Sequence, residues 1–134
     1  HGSPRRPINE YIFPEDAINS PVKMKQLFEH VPNYCLVGHT HVPGVFTDEP
    51  DFYGPEDMDN STWTFKGEEK CIINPGSVGQ PRDLDPRSSY AILDEEAKSV
   101  EFFRLAYDID AVVRKIYAIP ELTNWLGDRL IEGR

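Results

Sequence analysis

Val37-Gly38-His39-Thr40-His41-Val42-Pro43 places two imidazoles two positions apart, directly behind the apolar run Tyr34-Cys35-Leu36-Val37. That run has the length and composition of a buried strand. In extended backbone, residues i and i+2 point to the same side. His39 and His41 are therefore expected to face one space at the strand's C-terminal end. Gly38 leaves room for backbone or solute to come close, and Pro43 stops the strand. Neutral imidazole is the commonest side-chain ligand for a transition metal. The stretch reads as one edge of a metal site, against the plainer alternative of two surface histidines in a turn.

Working outward, Lys70-Cys71-Ile72-Ile73 is a second buried-strand candidate, and it ends in the turn cluster Asn74-Pro75-Gly76-Ser77. His1-Gly2-Ser3-Pro4 is also a turn and reads as the end of a further strand; a tag remnant is the alternative for His-Gly-Ser. In layered α/β folds, ligands gather beyond the C-terminal ends of strands. Three turns carrying Gly, Ser, Asn and His are thus expected to share one rim.

The remaining segments follow from their patterning. Ser20-Pro21 predicts a helix start, with Ser as N-cap and Pro at the first helical position. Met24, Leu27 and Phe28 give that helix an apolar face, and Pro32 lies beyond its end. Gly44-Val45-Phe46-Thr47 is a short strand candidate. Asp48 to Asn60, acidic and holding Pro50, Gly54 and Pro55, predicts an exposed loop. Ser61 to Lys66 alternates polar and apolar and predicts a half-buried strand. Ser89–Leu93 and Val100–Leu105 flank Asp94–Lys98 and predict an antiparallel hairpin. Val112, Val113, Ile116 and Tyr117 give Ile109 to Ile119 helical spacing. Pro120 breaks that helix and is expected to begin a second one, reaching about Leu130, with an apolar stripe of Leu122, Trp125, Leu126 and Leu130.

Composition bounds the rest. The 134 residues carry 39% hydrophobic and 28% charged residues, enough for one domain with a core. A net charge of −9 argues against a polyanion such as nucleic acid as the main partner, unless bound cations reverse the local field. There is no membrane-spanning apolar run and no signal-peptide pattern. Cys35 and Cys71 both lie in apolar runs and read as buried free thiols, which suits a reducing compartment such as the cytoplasm. A chain opening on His1 rather than Met reads as processed or truncated.

The quoted segments resemble a known family. His1–Pro4 (H-G-S-P), Asn9–Pro14 (N-E-Y-I-F-P), Val37–Pro43 (V-G-H-T-H-V-P), Ile73–Asp83 (I-N-P-G-S-V-G-Q-P-R-D) and Asp85–Leu93 (D-P-R-S-S-Y-A-I-L) together resemble the C-terminal half of a calcineurin-like metallophosphoesterase, of the bacterial and archaeal phosphodiesterase/phosphatase-like branch. The resemblance implies a four-layer α-β-β-α sandwich, of which this chain would supply the C-terminal half: a mixed sheet with two C-terminal helices. It implies two divalent transition-metal ions at the rim, with Mn, Fe, Zn, Co or Ni suiting histidine-rich ligation. His1 and His39 would bind one ion and His41 the other. Asn74 lies in a loop packed beside the site, as loop shaper or substrate contact. Arg82 and Arg87 are substrate-contact candidates, because a guanidinium suits a phosphate oxyanion; Asp83 and Asp85 are local salt-bridge alternatives. His30, at a helix end, reads as a capping or surface group.

The chain departs from the family pattern in one large respect. D-x-H, G-D-x-x-D and G-N-H-[DE], which supply the bridging aspartate, the metal-binding asparagine and the proton-donating histidine, have no counterpart here. Gly127-Asp128, in a helical stretch, is no substitute. The chain is therefore expected to be the second half of a metal-dependent phosphoesterase, inactive by itself, with reduced or absent metal binding. Its exposed sheet edge predicts association with the missing N-terminal half or with a second copy. The substrate would be a phosphorylated small molecule, nucleotide or phosphoprotein. The alternative is a non-catalytic interaction module that keeps the fold without the chemistry.

Overall fold

The computed structural model describes all residues, His1–Arg134. Two sheets and four helices form it. In chain order these are α1 (Asp16–Asn19), α2 (Pro21–Phe28), β1 (Tyr34–Leu36), β2 (Gly44–Thr47), β3 (Asp51–Tyr53), β4 (Thr62–Thr64), β5 (Cys71–Asn74), β6 (Ser88–Asp94), β7 (Ser99–Leu105), α3 (Ile109–Tyr117) and α4 (Trp125–Glu132). The first sheet has the order β1-β5-β2-β3 and is mixed, with β1 parallel to β5 and the other pairs antiparallel. The second, β4-β7-β6, is antiparallel.

The alternation of side chains along β5 separates two cores. Ile72 joins Met24, Leu27, Phe28, Val31 and Phe46 in a cluster between α2 and the first sheet. Cys71 and Ile73 turn the other way and meet Val45, Val100 and Phe102 between the two sheets. All four residues of β5 are buried, as a strand covered on both faces must be. Met24 and Leu27 are fully buried, each stabilising the fold by about 1.5–3 kcal/mol relative to exposure. The expected helix at Pro21 is present, although Ser20 makes no side-chain cap bond. Cys35 and Cys71 are free; Cys71 is buried as expected, and burial pushes its thiol up to about 12, whereas Cys35, near the sheet edge, is only half-buried.

Two expectations need correction. The predicted loop over 48–60 contains β3, whose Phe52 pairs with Phe46 across an antiparallel hairpin; the Asp48-Glu49-Pro50 turn signal was legible, but a three-residue strand carries too little periodicity to register. The helix expected from Pro120 begins at Trp125. Between them Leu122 N–H donates to Ile119, and the helix restarts through backbone bonds from Leu126 and Gly127 to Thr123 and Asn124, without a side-chain cap. The short α1 was not anticipated. At the end of α3–α4, Gly127 lets the two helices close up, since a methyl there would lie 2.7 Å from the Tyr117 ring.

Candidate metal centre

Because β1 and β5 run parallel and in register, with Leu36 opposite Ile73, they end together. The loop carrying His39 and His41 therefore meets Asn74-Pro75-Gly76-Ser77 at one rim, as the strand-end argument requires. Along the same edge Val37 N–H donates to Ile73 at 2.9 Å, and Gly38 N–H donates to the His1 carbonyl at 2.6 Å. The opening residue is thus a neighbour of the histidine loop. Gly38 is less demanding than its position suggests: a methyl there would meet His1 at 3.6 Å, ordinary contact.

The extended geometry expected of His39 and His41 is not what the chain adopts. Both lie beyond β1 with left-handed backbone, φ 71° and 63°, a conformation uncommon outside glycine. Thr40 N–H donates to the Gly38 carbonyl at 2.9 Å, which makes His39 the centre of a γ-turn of the rare positive-φ kind. Such residues cost on the order of 1–3 kcal/mol each and persist where the surroundings over-determine them. Those surroundings are explicit. Asn74, 1% exposed, donates from Nδ2 to the Gly38 carbonyl at 3.1 Å and to Thr40 Oγ1 at 2.8 Å. Its Oδ1 accepts from Gly76 N–H at 3.0 Å. Gly76 is itself left-handed, and a methyl there would lie 2.6 Å from Ser89 Oγ. Of the two roles open to Asn74, loop shaper and substrate contact, its geometry is that of the loop shaper, with every side-chain hydrogen-bonding direction toward the loops occupied.

Each imidazole is oriented by a neighbour. His41 Nδ1 lies 2.8 Å from the Gln80 carbonyl. A carbonyl only accepts, so Nδ1 carries the proton and Nε2 is left with a free lone pair, the tautomer arrangement typical of a metal ligand. Burial holds the His41 imidazole below its usual value; the Gln80 bond opposes this, and the charges of Arg82, His39 and Arg129 add to it. His39 is stacked on Tyr11 at 3.8 Å, and Tyr11 stacks in turn on Phe13 at 5.2 Å. His1 is exposed, with its carbonyl anchored on Gly38. His30 bonds the Gln26 carbonyl at the exposed end of α2, a surface role.

The two arginine candidates separate clearly. Arg87 is locked to Asp85, with Nη2 at 2.5 Å and Nε at 2.9 Å from its carboxylate. Asp83 pairs with Arg104, which also reaches Asp85 at 3.7 Å. Arg82 has only the neutral Gln80 Oε1, at 2.7 Å, and its own N–H donates to the His41 carbonyl at 3.3 Å. Its charge is unneutralised and lies next to the histidines. Tyr11, Gln80 and Arg129 were missed from the sequence: they bear no ligand spacing, and only the folded chain brings them to His39 and His41.

The chain's donor set is one-sided. Neutral imidazoles suit a transition metal, but no three His, Cys, Asp or Glu side chains converge in metal-holding geometry. The residues present fit a metal only as nitrogen donors and do not by themselves complete a site.

Comparison with known proteins gives the family. Residues 10–98 match the calcineurin-like phosphoesterase superfamily domain. The chain belongs to that superfamily, a family of metal-dependent phosphoesterases. It is similar to an uncharacterized protein of Methanocaldococcus jannaschii, 36% identical over 138 aligned positions that take in 100% of this chain and 50% of that protein. Among solved structures it is similar to a metallophosphoesterase from Sphaerobacter thermophilus, with TM-score 0.84, 36% identity, and coverage of 100% of this chain and 54% of the other. A hypothetical protein from Pyrococcus horikoshii shares the fold at TM-score 0.68 and 20% identity, with 45% of its chain covered. The chain thus spans about half the length of the relatives it matches. Its mixed α/β architecture is that of part of a metallophosphoesterase fold.

Proposed function

We propose that this chain is the histidine-bearing part of a dinuclear metal-dependent phosphoesterase and that it has no turnover by itself. His1 and His39 hold one divalent transition-metal ion and His41 the other, and the carboxylate ligands come from residues outside this chain. Ions bound there supply Lewis-acid charge and acidify the attacking water. The chain's own residues position and bind. His41 presents Nε2 because Gln80 holds Nδ1–H, and Arg82 offers its unpaired guanidinium to a phosphate oxygen. Arg87, already paired with Asp85, contributes less. The single observation that supports this most is the left-handed His39–His41 loop, fastened by Asn74 and met at Gly38 by the His1 backbone carbonyl.

The lack of three converging ligands favours a second reading, a non-catalytic module. Metal analysis and hydrolysis of bis-(p-nitrophenyl) phosphate separate them. The full-length protein is expected to bind metal and turn over, and His39→Ala to lower metal content at one site and the rate by about 10-fold or more. The 134-residue chain with manganese is expected to give none. Unchanged metal content and rate in His39→Ala would remove the assignment, and full activity from the chain alone would remove the need for outside ligands.

A further inference from the structure

Beside the histidines lies a cavity of about 640 Å³ lined by Tyr11, Phe13, Arg82, Leu84 and an Asp83 already paired with Arg104, and by Thr40 and Val42, which flank His41. We propose that this groove holds the organic group of the phosphoester and selects a planar aromatic one, a nucleobase or aryl ring, stacked against the Phe13 shelf. The proposal rests on the phosphoesterase reading above and deepens it.

Three observations carry it. The rings of His39, Tyr11 and Phe13 form one stack, within 19° and 3° of parallel at its two steps, so an aromatic shelf begins at a proposed metal ligand and leads away from it. Tyr11 and Phe13 are 37% and 41% exposed although both are large and apolar, which leaves ring surface available to a ligand. In the same groove Arg82 carries a charge that no carboxylate neutralises, and it is joined to His41 through the backbone. A phosphate held between His41 and Arg82 would direct its substituent along the shelf. The neighbouring cavity past Val42 holds Glu56, Asp83 and Asp85 together with Arg87 and Arg104, and both arginines are already paired with those aspartates, so it offers no free cation to an anionic ester. Within the aromatic groove, Glu15 follows Phe13 and Pro14 in the lining. That carboxylate disfavours a second phosphate and favours an uncharged ring.

The test compares adenosine 5′-monophosphate with ribose 5-phosphate, which differ only in the base, by calorimetric titration of the metal-loaded full-length protein. Stacking of a base on an aromatic side chain corresponds to a preference of about 10-fold. The nucleotide is expected to bind about that much more tightly. Phe13→Ala is expected to abolish the preference while leaving inorganic phosphate affinity and metal content unchanged, and Phe13→Tyr to retain it. Equal affinities in the wild type, or a preference that survives Phe13→Ala, overturns the inference alone. If His39→Ala leaves metal content unchanged, the phosphoesterase reading falls and this falls with it.

Discussion

Asn74 uses both amide hydrogens and its carbonyl oxygen on the two loops that meet at the rim. Replacing it with Ala leaves the buried Thr40 hydroxyl and the half-buried Gly76 N–H without these partners, while the Gly38 carbonyl keeps only Thr40 N–H, a cost of about 1–3 kcal/mol. Urea unfolding of Asn74→Ala is expected to show that loss. Metal analysis of the same variant in the full-length protein is expected to show lower occupancy, because the left-handed His39 and His41 lose what holds them. Stability lowered with metal content intact would make Asn74 a packing residue only. At this scale the sequence was partly legible. His-x-His after a strand marks candidate ligands, and Asn-Pro-Gly-Ser marks a turn. Their hydrogen bonds and the positive φ of both histidines depend on residues more than thirty positions apart, which no local pattern encodes.

Among the elements, the opening turn shows a loop held by one ion pair. Glu10 accepts from Arg5 Nη2 at 2.6 Å and Nε at 2.9 Å, and also from buried Ser3, while Gly2 N–H donates to Pro7 at 2.8 Å. The Arg5 guanidinium, with help from Ser3, holds the Glu10 carboxyl down from 4.5 to about 2 against the cost of burial. A depressed folded value contributes stability that is present above the unfolded value and lost as pH falls through the folded one. Glu10's contribution is therefore expected to be complete above about pH 4.5 and to fade toward about pH 2. Urea midpoints measured across that window should slope in the wild type and flatten in Glu10→Gln; identical slopes would show that Glu10 is not a determinant. Strand and helix positions were largely legible, since the apolar runs at Tyr34, Cys71, Ser89 and Val100 all became strands. The three-residue β3 and the late start of α4 were not, because short elements are set by their partners: β2 for the one, α3 for the other.

For the whole molecule, β1 is an edge of the first sheet, and its Leu36 is 55% exposed. An unpaired edge with an exposed Leu favours association. Sedimentation of the isolated chain is expected to show concentration-dependent self-association that Leu36→Lys reduces; a monomer at all concentrations would rule out a second copy on this edge. No helix is long and apolar enough to cross a membrane. What the amino-acid sequence determined by itself was the alternation of apolar runs and turns, hence the α/β class, and the turns that carry His39, His41 and Asn74 at strand ends, since both reside in local pattern and residue type. Only the tertiary structure decided that Arg82 is free while Arg87 is paired, that Tyr11 stacks on His39, and that Asn74 clamps the histidine loop. Each of these is a choice among partners, and which partner is within reach is settled when β1 and β5 lie side by side.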